Sequence, residues 1–248
     1  METGIKILAI DSSGLVATVA IVQGDELIAE YTINYKKTHS QTLLPMLDEV
    51  KKMIELDLSS IDAIAVAAGP GSFTGLRIGS ATAKGLGMAL NKPLIGIPTV
   101  DGLAFNLYGV EKIICPIMDA RRSQVYTGIY TFERKDDKYV LKVLKEQCAV
   151  PMEEMIACLN EIGKEVVYLG DGVPVFKEMI AEKMQVPYSF APAQMNRQRA
   201  ASVAVLAAEY YAQGKIQTAA EHEPEYLRMS QAERERLEAE KKKNGNVS

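Results

Sequence analysis

The chain has 248 residues, 48% of them apolar, and 28 Lys and Arg stand against 32 Asp and Glu for a net charge of −4. That is enough apolar material to bury the core of one large or two small domains. It gives no dense basic face that would hold nucleic acid unaided, no apolar run as long as a membrane span, and no basic-then-apolar leader, so a soluble cytoplasmic protein is expected. Cys115, Cys148 and Cys158 are odd in number and lack metal-type spacing; free thiols in a reducing compartment follow.

In chain order, IKILAID (5–11) predicts a buried strand, and 17–24 and 26–34 predict two more joined at Gly24-Asp25. A helix begins at Thr38, with Gln41 placed as its capping-box partner, and runs through Pro45 to Ile54. The strand IDAIAVAA (61–68), a glycine turn, a helix to Leu90, the strand LIGI (94–97) and a helix from Thr99 follow. The second half restates this order: strands at 113–120, 124–133 and 139–150, a helix at 151–163, a strand at 165–172, a helix from Val173 and a long helix at 197–214. Asp11 and Asp119 each close the first strand of their half. The repeat predicts two α/β lobes, 1–110 and 111–228, each a mixed sheet flanked by helices. The segment 229–248 is nearly all polar and reads as a solvated, fraying end.

GPGSFTGLRIGSATAKGLGMAL (69–90) raises the main question. It lacks the Lys of a Walker A loop, and its Gly69-x-Gly71-x-x-x-Gly75 spacing is too long for a dinucleotide fingerprint. On a helix, Gly75, Gly79, Ala83 and Gly87 line one side, and the four glycines at 75, 79, 85 and 87 cost about 4 kcal/mol relative to alanine. A side without Cβ atoms serves close approach, either by the domain's own packing or by a helix of a partner chain.

LAIDSS, THSQTLLPMLDEV, GPGSFTGLRIG, MDARRSQVY and PEYLR, in this order, resemble the bacterial TsaB (YeaZ) family over residues 5 to about 228. The resemblance implies the duplicated actin-like/Hsp70-like ATPase superfold. It also implies a part in forming N6-threonylcarbamoyladenosine (t6A) at position 37 of tRNAs that read ANN codons. In that system the family member is a non-catalytic partner of the TsaD transferase, the ATPase TsaE docks on the pair, and tRNA is met through the complex. Pairing with TsaD uses the two helices corresponding to 39–54 and 73–90, which favours the partner reading of the bare stripe. It nominates His39, Leu43, Leu47, Gly75, Ile78, Gly79, Ala83 and Gly87 as interface residues. The same face could pair two copies when TsaD is absent.

Asp11, Ser12, Gly69, Gly71, Asp119, Gly170 and Gly172 match a nucleotide pocket by the same resemblance. Arg121 and Arg122 place bulk where such a pocket needs a slim turn, so weak ATP or ADP binding at most is expected, with the heterocomplex interface as one place for it. The catalytic relatives' H-x-x-x-H metal pair is missing: His39 and His222 are far apart, and no metal is expected. Ser72 and Thr74 have no histidine beside them in sequence and read as helix caps. Arg121 and Arg122 could meet tRNA phosphate, a partner's carboxylate, or only surface ions. An actin-like ATPase or small-molecule kinase, and a glycoprotease-like metallopeptidase, are the rival functions.

Overall fold

Strand β1 (Lys6–Asp11) turns Ile7 and Ala9 to one side of its sheet and Leu8 and Ile10 to the other, and all four are buried. A strand covered on both faces reads as an unbroken apolar run instead of an alternation. In the computed structural model, which describes residues 4–35 and 38–228, β1 is the centre of the first sheet. It pairs antiparallel with β2 (Ala17–Gln23) and parallel with β4 (Ala63–Gly69). β3 (Glu26–Ile33) and β5 (Leu94–Pro98) complete the order β3-β2-β1-β4-β5. Helices α1 (His39–Met53) and α2 (Phe73–Leu90) cover the outer face, where Leu43, Met46, Leu47 and Val50 meet Leu8, Ile10, Ile64 and Val66.

The second sheet repeats the first. Strands β6 (Ile113–Asp119), β7 (Gln124–Lys135), β8 (Lys138–Pro151), β9 (Val166–Leu169) and β10 (Tyr188–Phe190) stand in the order β10-β9-β6-β7-β8. Helices α4 (Met152–Ile162) and α5 (Val173–Lys183) cover its outer face through Met155, Ile156, Leu159, Phe176 and Ile180. β10 is three residues long and was not among the expected strands.

Between the two sheets lies a shared core. Ile7, Ala9, Ala63, Ala65, Ile95 and Ile97 face it from the first sheet, and Ile114, Met118, Tyr130, Phe132 and Leu169 from the second. Helices α3 (Thr99–Ala104) and α6 (Ala200–Ala212) fill it. The expected division at residue 110 cuts across this core. α3 packs on β6 and β7 of the second sheet as well as on its own lobe, while α6 packs on β1 and β2 of the first. The long final helix begins at Ala200, not at 197, and Thr38 caps α1 without the side-chain bond of a capping box. The charged segment 229–248 lies outside the described residues.

No described helix is long and apolar enough to cross a membrane. All three cysteines are free, and burial pushes the Cys115 thiol up to about 12.

A buried polar bond also joins α3 to the second sheet, donated by Tyr130 Oη on β7 to Asp101 Oδ1 at 2.6 Å. Removing the donor leaves a buried carboxyl without it, so Tyr130→Phe is expected to lower stability by about 1–3 kcal/mol in denaturant melts, with the fold retained.

Candidate functional site

The turn after β1 lies directly on the first half of α2. Ser12 Oγ donates to the Gly75 carbonyl (2.9 Å), and the Ser72 amide donates to the Ser13 carbonyl (2.7 Å). Ser72 in turn caps α2 by accepting from the Gly75 amide. Backbone this close leaves no room for side chains. A Cβ would stand 2.4 Å from the Ser13 carbonyl oxygen at Gly71, 2.0 Å from that of Ser12 at Gly75, and 2.5 Å from Ser12 Oγ at Gly79. His39, at the start of α1, closes the clasp by donating from Nε2 to the Gly14 carbonyl (2.8 Å), which leaves its Nδ1 buried without a partner among the described residues.

Asp11 is buried beneath this turn and accepts from the Ser13 amide (2.8 Å) and Ser13 Oγ (2.6 Å). Burial raises its pKa to about 6, against the lowering effect of the Ser13 bonds and of His39. Asp119 repeats the motif in the second lobe, where its Oδ1 accepts from the Arg121 amide at 2.8 Å. Its own amide donates to Asp171 Oδ1 at 3.2 Å, and burial raises the Asp171 carboxyl. The two turns face each other across a cleft of about 610 Å³ lined by Ser13, Gly14, His39, Ser72, Asp119 and Asp171, among others.

A third piece of chain reaches this cleft, one that sequence reasoning missed. After α6, Gln217 pairs with Leu94 at the edge of the first sheet, with both amide–carbonyl bonds at 2.8 Å. His222 is then buried against α2, accepting at Nε2 from Ser80 Oγ (3.0 Å) and donating from Nδ1 to Gln217 Oε1 (3.1 Å). Burial, with the Lys84 charge second, holds its pKa below the usual value. The Glu225 amide donates to the Ala68 carbonyl at 2.7 Å, and a Cβ on Gly69 would stand 2.1 Å from the Glu225 carbonyl oxygen. Tyr226 stacks on Phe73 at 4.7 Å, and Arg228 donates to the Ala120 carbonyl. The signals in the sequence were no more than PEYLR and a histidine in a polar stretch without periodicity.

Several expected site residues therefore have another role. Leu43 and Leu47 belong to the core of the first lobe. Gly75, Gly79 and Ala83 are buried on the inner side of α2, and Gly87 is buried against Leu94, 2.3 Å from where its Cβ would be. The bare stripe accommodates the chain's own turn and strand, so it is not an open partner surface. Ile78 is half-buried beside the same core. The glycines matched to a nucleotide pocket are likewise filled from within. Gly69 meets Glu225, Gly71 meets Ser13, and Gly170 and Gly172 meet the Ile117 carbonyl oxygen, at 2.1 and 2.9 Å from their would-be Cβ positions. The amides of Gly69, Gly170 and Gly172 donate within the chain, to Thr99 Oγ1 (3.1 Å), the Asn196 carbonyl (3.0 Å) and the Ile117 carbonyl (3.0 Å). No group of three or more His, Cys, Asp or Glu among the described residues is placed to hold a metal ion. The outer row of α2 is the open one: Ala81, Gly85, Met88 and Ala89 are exposed, and nothing lies within 4 Å of a Cβ on Gly85.

Two sheets of equivalent strand order, facing each other across a cleft, are the arrangement expected from the sequence for the duplicated actin-like superfold. A family model described as TsaD, tRNA N6-adenosine threonylcarbamoyltransferase, matches residues 26–236. The chain is 32% identical to the tRNA threonylcarbamoyladenosine biosynthesis protein TsaB of Bacillus subtilis, over 95% of this chain and 99% of that one. It is 27% identical to TsaB of Escherichia coli, over 90% and 94%. YeaZ from Pseudomonas aeruginosa superposes with a TM-score of 0.74 at 25% identity, covering 90% of this chain and all of that one. The chain belongs to the TsaB (YeaZ) family.

The clasp makes opposite outcomes of one substitution. Gly75→Ala drives a Cβ into a carbonyl and is expected to destabilise by about 1–3 kcal/mol, whereas Gly85→Ala is expected to stabilise by up to about 1 kcal/mol; thermal melts of both variants check this. Asp11 gives a pH dependence. Its raised pKa means that the folded state binds more protons than the unfolded state between about pH 4 and 6, so its contribution to stability falls as pH rises through that window. Asp11→Asn is expected to melt above wild type at pH 8 and to lose that advantage near pH 4, by an amount on the order of 2 kcal/mol.

Proposed function

We propose that this chain is a non-catalytic subunit of the machinery that forms N6-threonylcarbamoyladenosine in tRNA, binding and supporting the TsaD transferase and allowing TsaE to dock. Family membership supports the pathway. The observation that carries the non-catalytic part is that the amides of Gly69, Gly170 and Gly172 already donate within the chain, to Thr99 Oγ1, the Asn196 carbonyl and the Ile117 carbonyl, so those three amides are not free to cradle a phosphate. Any ATP or ADP is therefore held weakly, at the interface of the heterocomplex. The protein acts in the cytoplasm, and tRNA is met through the complex.

The partner face is the outward side of α1 and α2. Leu44 on α1 is 54% exposed and Met88 on α2 is 74% exposed, and the small residues Ala81, Gly85 and Ala89 lie in the outer row of α2. Large apolar side chains beside an open glycine let a second helix pair approach closely and bury a continuous surface. Without TsaD, the same face pairs with its own copy.

Leu44→Glu/Met88→Glu places two charges on this face without touching the core. The expected result is loss of co-purification with TsaD of the same organism and of t6A in tRNA, measured by mass spectrometry in a strain lacking the native gene, with the melting temperature unchanged. Normal pairing and normal t6A with the double variant would overturn the assignment of the face. Wild type that neither pairs with TsaD nor restores t6A would overturn the function itself.

A further inference from the structure

We infer that the end of the segment 217–228 is a latch over the cleft. Residues 225–228 swing off the second lobe to open that side of the cleft, while 217–222 stay fixed to the first lobe. The inference does not depend on which protein pairs with the outward side of α1 and α2.

The two halves of the segment are held by different kinds of contact. Residues 217–222 are built into the first lobe. Gln217 extends the edge of the first sheet through its backbone bonds with Leu94, and Ala219 is buried in the core beneath α1 and α2. Thr218 and Glu221 close a turn on themselves. The Glu221 carboxylate accepts from the Thr218 amide and hydroxyl, both at 2.8 Å, and that hydroxyl accepts from the Glu221 amide at 3.3 Å. His222 is 1% exposed, with both ring nitrogens bonded. Lys84 Nζ on α2 donates to the His222 carbonyl (2.9 Å) and to that of Ala220 (3.4 Å). Opening here would break sheet pairing and expose core, so this half moves only with the lobe itself.

Beyond Pro224, which has no amide to donate, the contacts change. The Glu225 amide still donates to the Ala68 carbonyl, but Glu225 and Tyr226 are exposed. The Tyr226 ring lies on Phe73, and Arg77 Nε donates to its hydroxyl at 3.3 Å. The segment reaches the second lobe through side chains: Gln147 Nε2 on β8 donates to Glu225 Oε2 (2.8 Å), and Arg228 donates to the Ala120 carbonyl. Side-chain bonds at the surface exchange readily for bonds to water. The closed position is also opposed from within. Gln147 Oε1 is buried without a partner among the described residues. Burial raises the Asp101 carboxyl to about 6 against the Tyr130 bond, and the Glu146 and Glu225 charges add to the rise, so the Glu225 carboxylate sits among like charges. Glu225, Tyr226, Leu227 and Arg228 form one wall of the cleft, beside Ser72, Asp119 and Asp171. Their departure widens the cleft between its two turns, which makes this half of the segment the part of the fold that governs entry.

The test is hydrogen–deuterium exchange of the full chain, read at single amides in wild type and in Arg228→Ala. Acrylamide quenching of Tyr226→Trp gives a second readout, because the chain has no tryptophan of its own. In wild type the Glu225 amide is expected to exchange about a hundredfold or more faster than those of Gln217 and Leu94. Arg228→Ala is expected to speed exchange across 225–228 about fivefold or more, with 217–222 and the melting temperature unchanged. In the Tyr226→Trp chain the same substitution is expected to raise the quenching constant about twofold or more. The proposal is overturned if 217–222 and 225–228 exchange at one common rate in wild type, or if Arg228→Ala speeds both halves alike, since the segment is then a single rigid part of the fold. It is also overturned if Arg228→Ala leaves exchange across 225–228 unchanged.

Discussion

The contact on which most of this structure depends is between backbone and backbone: the turn Ser12–Gly14 resting on the bare side of α2. Gly71, Gly75 and Gly79 bring carbonyl oxygens and a serine hydroxyl to distances that no side chain would permit. The position of α2 then fixes the first wall of the cleft, the burial of Asp11, and the place of His39 against Gly14. Glycine destabilises the interior of a helix. That loss is offset by hydrogen bonds that only close approach allows, namely Ser12 to Gly75 and Ser72 to Ser13.

The same close packing continues around the cleft. Each turn that the superfold could offer to a phosphate is already in contact with its own chain: Gly69 with Glu225, Gly170 and Gly172 with Ile117. The segment 217–228 ties α2 and the edge of the first sheet to the Ala120 turn of the second lobe. With the shared core around α3 and α6, it holds the lobes together at two separate places. The outward side of α1 and α2 is left open, with Leu44 and Met88 exposed on it.

Much of the fold was legible because it rests on local pattern. KILAID and AIAVAAG are apolar without alternation, and both strands are buried on two faces. The duplication was legible from element order, and Asp11 and Asp119 do close equivalent strands with equivalent hydrogen bonds. The destinations of α3 and α6 were not legible. AASVAVLAAEYYA is apolar on most sides, which says that a helix is buried without saying in which lobe. The glycine stripe had the same limit. Its spacing declares close approach, but an approaching turn of the same chain and a helix of another chain leave one signature. Only the folded arrangement separates the buried row at Gly75 and Gly79 from the open row at Gly85. The segment 217–228 had no period to read, and the left-handed turn at Arg121 and Arg122 contradicts what those residue types prefer.

Hydrogen–deuterium exchange of the chain, alone and with TsaD of the same organism, tests the central claim most directly. If the glycines serve an internal clasp, amides of 11–16 and 71–80 are strongly protected in the free chain, and adding TsaD adds protection only toward the outer rows of α1 and α2, around 41–49 and 81–90. If 11–16 and 71–80 exchange freely in the isolated chain and become protected only in the complex, the bare side of α2 is waiting for a partner, and the internal clasp is refuted.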